Sequence, residues 1–482
     1  NIGGLDTPAL WGWCAVVIGL ATVGKFCGSY LAARFVGLPK AESKVLGILM
    51  NTRALMELIV INVGYDLGVI SQNLFTMLVL MAIRVPIAVA MFVPGVVGYV
   101  ALSGWDPLLA HLRGAVYGRV SVYDLSVIPL FMLMGGFAVN GGLSKALFDF
   151  ANSLLGRFKG GMAMAGILAC AAFGAISGST VATTATIAQV AYPEMRRIAY
   201  SGRLATAALA TGGTMGVLLP PSVTLMVYAI LTEQNITKTF LAAYVPAILA
   251  ALGYLVVIAI YVRLHPGHAP EARAASGAEV AQAAAGVWPI ALIFVAVFGG
   301  IYGGIFTPTE GAAIGATLTF IITLLQRKLT LQKAVESIRT TAVTSGMIFM
   351  IFIGADMMNA ALALSQLPNQ LADLIAHAAI PPVVVMAVIM LFYVVLGCVM
   401  DEMSMILLTV PVIFPVIMGL DFFGLEASDK ALWFGILILT VCAIGMIFPP
   451  VGLNVYVMNG LAKDVPMIET YKGVMIFLAW DF

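Results

Sequence analysis

Runs of about 20 apolar residues, the length a helix needs to cross the hydrocarbon of a bilayer, recur along almost the whole of this 482-residue chain. They lie near 10–33, 45–66, 74–103, 125–141, 161–191, 204–231, 239–262, 287–304, 309–326, 341–363, 382–420 and 431–462. Inside a bilayer each backbone N–H and C=O must be satisfied by the protein itself, which leaves helices and closed barrels. Runs of this length select helices. Only 10% of the residues are charged, against roughly 25% in a soluble domain. A cytosolic enzyme, a nucleic-acid-binding protein and a disordered scaffold are therefore excluded together. With 24 basic and 23 acidic residues, the net charge points to no polyanionic partner. The expected fold is an all-α polytopic membrane protein.

Cys14, Cys27, Cys170, Cys398 and Cys442 are scattered through apolar runs, with no CxxC pair and no Cys/His cluster. Neither a disulfide framework nor a zinc site is expected, and buried packing is the simpler role. His111 and His377 stand alone, and His265 and His268 share a polar stretch. The segment Gly19-Leu-Ala-Thr-Val-Gly-Lys25 imitates a phosphate-binding loop, but Phe26 stands where Ser or Thr is needed. No nucleophile–base pair is apparent, so the chain is expected to be neither an enzyme nor ATP-driven. It begins at Asn1 and stops at Phe482 just after an apolar run. It therefore reads as a piece at both ends, with no signal peptide visible.

The segments on either side of a polar, Ala-rich linker at 263–286 match in order. Span 84–103 pairs with 309–326, arm 105–124 with arm 327–339, and span 125–141 with 341–363. Amphipathic stretch 142–158 pairs with 364–380, run 161–191 with 382–420, and run 204–231 with 431–462. Two repeats, 84–262 and 287–482, each with an interrupted apolar segment in the same place, are the sequence sign of a secondary transporter. The flanks of 161–191 carry Arg157, Lys159, Arg196, Arg197 and Arg203, whereas those of 382–420 carry Lys430 alone. Positive-inside bias then opens the first hairpin from the cytoplasm and the second from outside, an inverted-topology repeat. Arg327, Lys328, Lys333 and Arg339 fall inside on this scheme, and Arg113 and Arg119 misfit it.

Three constellations could carry chemistry. In the first, Ser177, Gly178, Ser179 and Thr180 form the tip of a re-entrant hairpin within 161–191. Their hydroxyls and free carbonyls would suit a hard cation such as sodium; the alternative is that small residues simply allow close packing. In the second, Gly212 and Thr214 lead into Pro220-Pro221, a run matched by Gly445 leading into Pro449-Pro450 and Asn454. Adjacent prolines remove backbone donors, and their recurrence at equivalent points argues for two discontinuous helices whose exposed ends can face ions. In the third, Gly397, Asp401 and Glu402 lie at the centre of 382–420. Carboxylates at that depth read as functional. Asp401 either binds an ion or caps the following half-helix; Glu402 is the weaker candidate, placed where it can face water. Asp356 is weaker still, and Glu310 reads most simply as an acid at a helix N-terminus.

Ile128-Pro-Leu-Phe-Met-Leu-Met-Gly135, Phe173-Gly-Ala-Ile-Ser-Gly-Ser-Thr180, Pro193-Glu-Met195, Gly216-Val-Leu-Leu-Pro-Pro-Ser222 and Pro449-Pro-Val-Gly-Leu-Asn454 also carry a resemblance in order and spacing. From about Arg84 to the end, the chain resembles the large membrane (M) subunit of tripartite ATP-independent periplasmic (TRAP) transporters. The resemblance implies an elevator-type, sodium-driven importer of organic acids such as C4-dicarboxylates in the bacterial inner membrane. It also implies a small membrane (Q) subunit, a periplasmic solute-binding protein that selects the acid, surrounding lipid and no cofactor beyond the coupling ion. By position it puts the tips at Ser177–Thr180 and near Asp401, with Ser177, Ser179, Thr214 and Asp401 as the sodium candidates.

The first 83 residues differ. Gly37-Leu-Pro-Lys40, Asn51-Thr-Arg-Ala-Leu-Met-Glu-Leu-Ile59 and Gly64-Tyr-Asp-Leu-Gly-Val-Ile-Ser71 resemble the C-terminal helices of a monovalent cation:proton antiporter. Arg53 and Glu57 would belong to that family's transport core, or form a plain i,i+4 pair. The crossover falls in Met77-Leu-Val-Leu-Met-Ala-Ile83, and the two parts disagree about the direction of the helix there. The chain reads as a chimera, either a gene fusion or an assembly artefact. Alternatives to the importer are an antiporter fragment and a truncated membrane scaffold that does not transport.

Overall fold

The computed structural model of the chain describes residues 86–270, 275–366, 381–398 and 400–481. The antiporter-like segment 1–83, with Arg53, Glu57 and the crossover, lies outside the described residues, as does most of the stretch 364–380. All described regular structure is helical, and eight helices are long and apolar enough to cross a membrane. The protein is a multi-pass helical membrane protein.

Two compact units divide the chain, one of residues 1–115 and 351–371 and the other of 116–350 and 372–482. In the first, helix α1 (Ile87–Ser103) crosses the end of a long helix at two glycines. A Cβ on Gly95 would come 2.7 Å from the Met357 carbonyl carbon, and one on Gly354 would come 2.5 Å from the Ala88 carbonyl oxygen. Such close approach needs small residues. His111, within α2 (Trp105–Val120), does not stand alone: its ring stacks on Tyr99, and its Nε2 lies 3.3 Å from Asp356 Oδ2.

The second unit holds most of the two stretches matched in the sequence. Its first part runs α3 (Val127–Asn140), α4 (Leu143–Leu155), α5 (Gly161–Ser177), α6 (Thr180–Arg197), α7 (Gly202–Gly213), the single turn α8 (Met215–Leu218), α9 (Val223–Leu231) and α10 (Ile236–Leu264). Helix α11 (Gly277–Phe294) continues through a π-helical turn, Val295–Gly299, to Tyr302. Then come α12 (Pro308–Leu325), α13 (Leu331–Ser365), α14 (Pro382–Gly397), α15 (Glu402–Gly419), α16 (Ala427–Gly445), α17 (Leu453–Leu461) and α18 (Met467–Asp481). Helix occupies both ends of the expected linker, which narrows to the residues between Leu264 and Gly277. The expected arm 327–339 and span 341–363 fuse into α13, because nothing between Leu331 and Ser365 breaks a helix: the stretch has no proline.

Helix starts follow side-chain chemistry. Ser276 with Glu279, and Thr307 with Glu310, form capping boxes that open α11 and α12. Glu310 thus has the helix-terminal role its position suggested. Asn235 caps α10 by accepting the Lys238 N–H at 3.0 Å.

Where α6 ends, the two repeats are tied by charge. Arg196 Nε donates to Asp464 Oδ2 at 2.9 Å, and the Tyr192 hydroxyl donates to the other oxygen. Beside them Arg203 grips Glu469 Oε2 at 2.8 and 2.5 Å, and Thr470 Oγ1 donates to Thr206 Oγ1 at 2.9 Å. The Tyr192 hydrogen bond, with Arg196 behind it, holds the Asp464 carboxyl below its ordinary range. A depressed carboxyl stabilises the fold above its ordinary range, about pH 4, and loses that contribution as the pH falls through its folded value. Asp464→Asn should therefore lower the unfolding midpoint in detergent at pH 7 by a few degrees. The gap from the unmodified protein should close as the buffer is taken below about pH 4.

Candidate functional site

Each repeat contains one helix–turn–helix hairpin and one broken helix. In the first hairpin, α5 ends at Ser177 because Gly178 takes a left-handed conformation (φ 63°), its N–H bonding Gly174 O at 2.7 Å. Ser179 then caps α6, its Oγ accepting the Ala182 N–H at 3.4 Å. Ser177 Oγ pairs with Thr183 Oγ1 at 2.7 Å, and Thr183 donates to Ser179 O at 2.6 Å. In the second hairpin the cap is Asp401. Its Oδ2 accepts the Ser404 N–H at 3.1 Å and its Oδ1 the Ser404 hydroxyl at 2.7 Å. Of the two roles open to Asp401, this geometry displays the helix cap.

The broken helices lie beside the tips. After Gly213 the chain makes the turn α8 and an extended passage through Pro220-Pro221, and restarts at α9, where Ser222 Oγ accepts the Leu225 N–H. After Gly445 it passes Pro449-Pro450 and restarts at α17. Both Pro–Pro peptide bonds are cis. The second break is bridged by the Asn454 N–H, which donates to Met446 O at 3.0 Å. The Tyr471 hydroxyl from α18 lies 2.8 and 2.7 Å from the carbonyls of Pro450 and Val451. Backbone groups at the second break thus find protein partners, as they must at membrane depth.

Hairpin and break touch through glycine in each half. A Cβ on Gly174 would fall 2.5 Å from Gly216 Cα, and one on Gly397 would fall 2.8 Å from Gly445 Cα. Gly178 abuts Val223 and Pro221 O. In the second half Cys398 Sγ reaches Pro449 O at 3.4 Å. Gly212 lies on Cys170 of α5, and Thr214 Oγ1 donates to Thr211 O at 2.6 Å.

Contacts between the halves complete the site. Thr180 is fully buried, and its N–H and hydroxyl both meet Glu402. The N–H lies 3.3 Å from Oε1, and Oγ1 lies 3.0 Å from Oε1 and 2.9 Å from Oε2. Oγ1 also lies 3.4 Å from Met446 Sδ at the second break. Asn454 Nδ2 donates to Ala210 O at 3.3 Å, just before the first break. Three buried oxygens around this junction have no hydrogen-bond partner: Thr184 Oγ1, Thr211 Oγ1 and Asn454 Oδ1. Among the described residues, no hydrogen bond or ion pair joins Asp401 to Ser177, Ser179 or Thr214.

Glu402 does not face water: 4% of its surface is exposed. Sequence reasoning underrated it; Thr184 and Thr211 stood within the two small-residue motifs but were not singled out as ligands. The one available signal was that an acid stood beside a hairpin tip in an apolar run.

Residues 74–482 match the protein family described as "Tripartite ATP-independent periplasmic transporter, DctM component". The chain belongs to this family. It is therefore the large permease component of a transporter, and not an enzyme. Residues 2–97 match a second family, described as "Sodium/hydrogen exchanger, transmembrane". The C4-dicarboxylate TRAP transporter large permease protein DctM of Pseudomonas aeruginosa is 32% identical over 358 residues, 74% of this chain and 81% of that protein. The isethionate TRAP transporter permease protein DctMQ of Oleidesulfovibrio alaskensis is 29% identical over 387 residues, 80% of this chain and 59% of that protein. Among solved structures, the YdaH transporter of Alcanivorax borkumensis aligns with a TM-score of 0.52 at 14% identity. The alignment covers 79% of this chain and 88% of that one, a likeness of fold.

The glycine contacts give this DctM-family site its first test. Gly216→Ala would set a methyl group 2.8 Å from Ser179 O and 2.9 Å from Thr183 Oγ1. It should destabilise the purified protein by about 1–3 kcal/mol, read as a lowered unfolding midpoint. Gly460→Ala, in open space on α17, should leave the midpoint where it was.

Proposed function

We propose that this chain is the transport subunit of a sodium-coupled, binding-protein-dependent importer of small organic acids in the bacterial inner membrane. The observation that carries the proposal is the junction of two hairpin tips and two helix breaks, joined through Thr180–Glu402 and Asn454–Ala210. In secondary transporters, substrate and coupling-ion sites lie at the interface of repeats, at discontinuous helices. Re-entry of the hairpins from opposite faces and an elevator movement are part of the same proposal. The hairpin helices, 17 and 18 residues long in the first, reach about 26 Å, short of the roughly 30 Å core. That length suits entry and return.

Sodium is a hard cation that takes oxygen ligands. The unpartnered oxygens of Thr184, Thr211 and Asn454 are groups whose burial costs free energy unless something meets them. Sodium ions would do so, with Ser177, Ser179 and Thr214 supplying further oxygens at the first tip and Asp401 oxygen and charge at the second. For the second cargo, one relative is named for C4-dicarboxylate and the other for isethionate; both are small organic acids. A small Q subunit is supported by the relative whose name joins M and Q, of which this chain covers 59%. The match of residues 2–97 to an exchanger family supports reading 1–83 as a fused segment rather than as part of the importer.

In proteoliposomes, uptake should require an inward sodium gradient, the small membrane subunit and the loaded binding protein; uptake by this chain alone, indifferent to sodium, would reject the proposal. The structure also singles out a clean variant. Asn caps helices about as well as Asp, so Asp401→Asn should fold normally. It should raise the sodium concentration for half-maximal uptake about tenfold, equivalent to about 1.4 kcal/mol. Ser179→Ala is less clean, since losing this cap costs about 1 kcal/mol of stability on its own.

A further inference from the structure

Glu402 is the charge that the fold has done most to enclose. Among the described residues, no Lys, Arg or His lies within ion-pair distance of it. Lys430, on the neighbouring α16, is committed to the opposite end of α15, donating to the carbonyls of Met418 and Leu420. With 18 residues in α15, that end is about 25 Å away. A buried carboxylate without a counter-ion is costly, and at membrane depth such a group marks function. Its hydrogen-bond partner is a single residue, Thr180, which presents two donors to it.

The placement of that partner is informative. Thr180 is the first residue of α6 and Glu402 the first residue of α15. Each follows directly on a cap, Ser179 in one hairpin and Asp401 in the other. The two helices that leave the tips therefore begin at one shared contact. Any ligand that draws on the carbonyls or caps of one tip moves the first turn of its helix, and through this contact the first turn of the other. Met446, touching Thr180 Oγ1, adds the second helix break to the same point.

We propose that Glu402 is a positioning residue for transport: through Thr180 it couples the two hairpin tips, so that occupation of one tip orders the other. The inference rests on the sodium reading above, with each tip contributing to cation binding. In equilibrium binding, two coupled sites give a Hill coefficient above 1 and at most 2, whereas uncoupled sites give 1.

The test is equilibrium sodium binding to the purified chain, together with the sodium dependence of its unfolding midpoint and of uptake by the complete transporter in proteoliposomes. The unmodified protein should bind sodium with a Hill coefficient above 1. Thr180→Val, which keeps the shape but removes the hydroxyl, and Glu402→Ala should lower it to about 1. Thr180→Ser restores the hydroxyl, and Glu402→Gln keeps an acceptor for the Thr180 N–H and an amide for its oxygen. Both should keep the coefficient above 1, which loss of folding would not reproduce. A coefficient of 1 in the unmodified, sodium-activated protein would overturn the coupling alone, as would a coefficient unchanged in Thr180→Val and Glu402→Ala. Uptake and melting both indifferent to sodium would overturn the sodium reading and this inference with it.

Discussion

A helix that stops within an apolar span strands backbone donors and acceptors where water cannot reach them. Among the described residues such stops fall at Ser177, Gly213, Gly397 and Gly445, and the remedies are local and specific. Serine and aspartate caps take the N–H groups of the restarting helices. A left-handed glycine closes α5, and a tyrosine from α18 meets the carbonyls stranded beyond the second break. Chain breaks that would otherwise be defects thereby become fixed points. Because each is sealed against its neighbour through glycine, all four can share one small region.

The seal also explains the local composition. Glycine, serine and threonine gather at the tips because two backbones must approach to within the reach of a methyl group. Larger side chains would hold the hairpin away from the break. Some of these hydroxyls serve as caps and others are left unpaired, so that oxygens gather inside an apolar protein. Thr183 and Thr184 show the division plainly: one bonds within its own tip, and the other is buried with its oxygen free.

Much of this architecture was legible in the sequence, because Pro-Pro, Gly and polar tips interrupt apolar runs and such punctuation has few structural meanings. Helices end at Ser177, Gly213, Gly397 and Gly445, where these residues placed interruptions. Boundaries drifted where punctuation was lacking: α6 continues to Arg197, past the apolar edge at 191, and α13 absorbs its basic arm. Facing was not legible. In runs apolar on every side, no periodicity separates the face toward the repeat partner from the face toward lipid. Glu402 was therefore placed where it can face water, and His111 was left standing alone. Their actual partners, Thr180 and Asp356, lie 222 residues away in one case and on another helix in both. The unpaired oxygens of Thr184 and Thr211 were invisible for the same reason, since a threonine in a small-residue helix usually bonds its own backbone, as Thr206 and Thr319 do here.

Helix α6 is fastened at both ends. Its first residue is joined to the second repeat at Glu402, and its last turn is joined to the second repeat again at Asp464. A rod about 27 Å long pinned at both ends cannot pivot about either one. Its remaining freedom is to travel with the structure to which it is fastened. The tip of the first hairpin thereby inherits the stiffness of the partner repeat, and a force felt at the polar rim near Arg196 arrives at Thr180 as displacement rather than as bending.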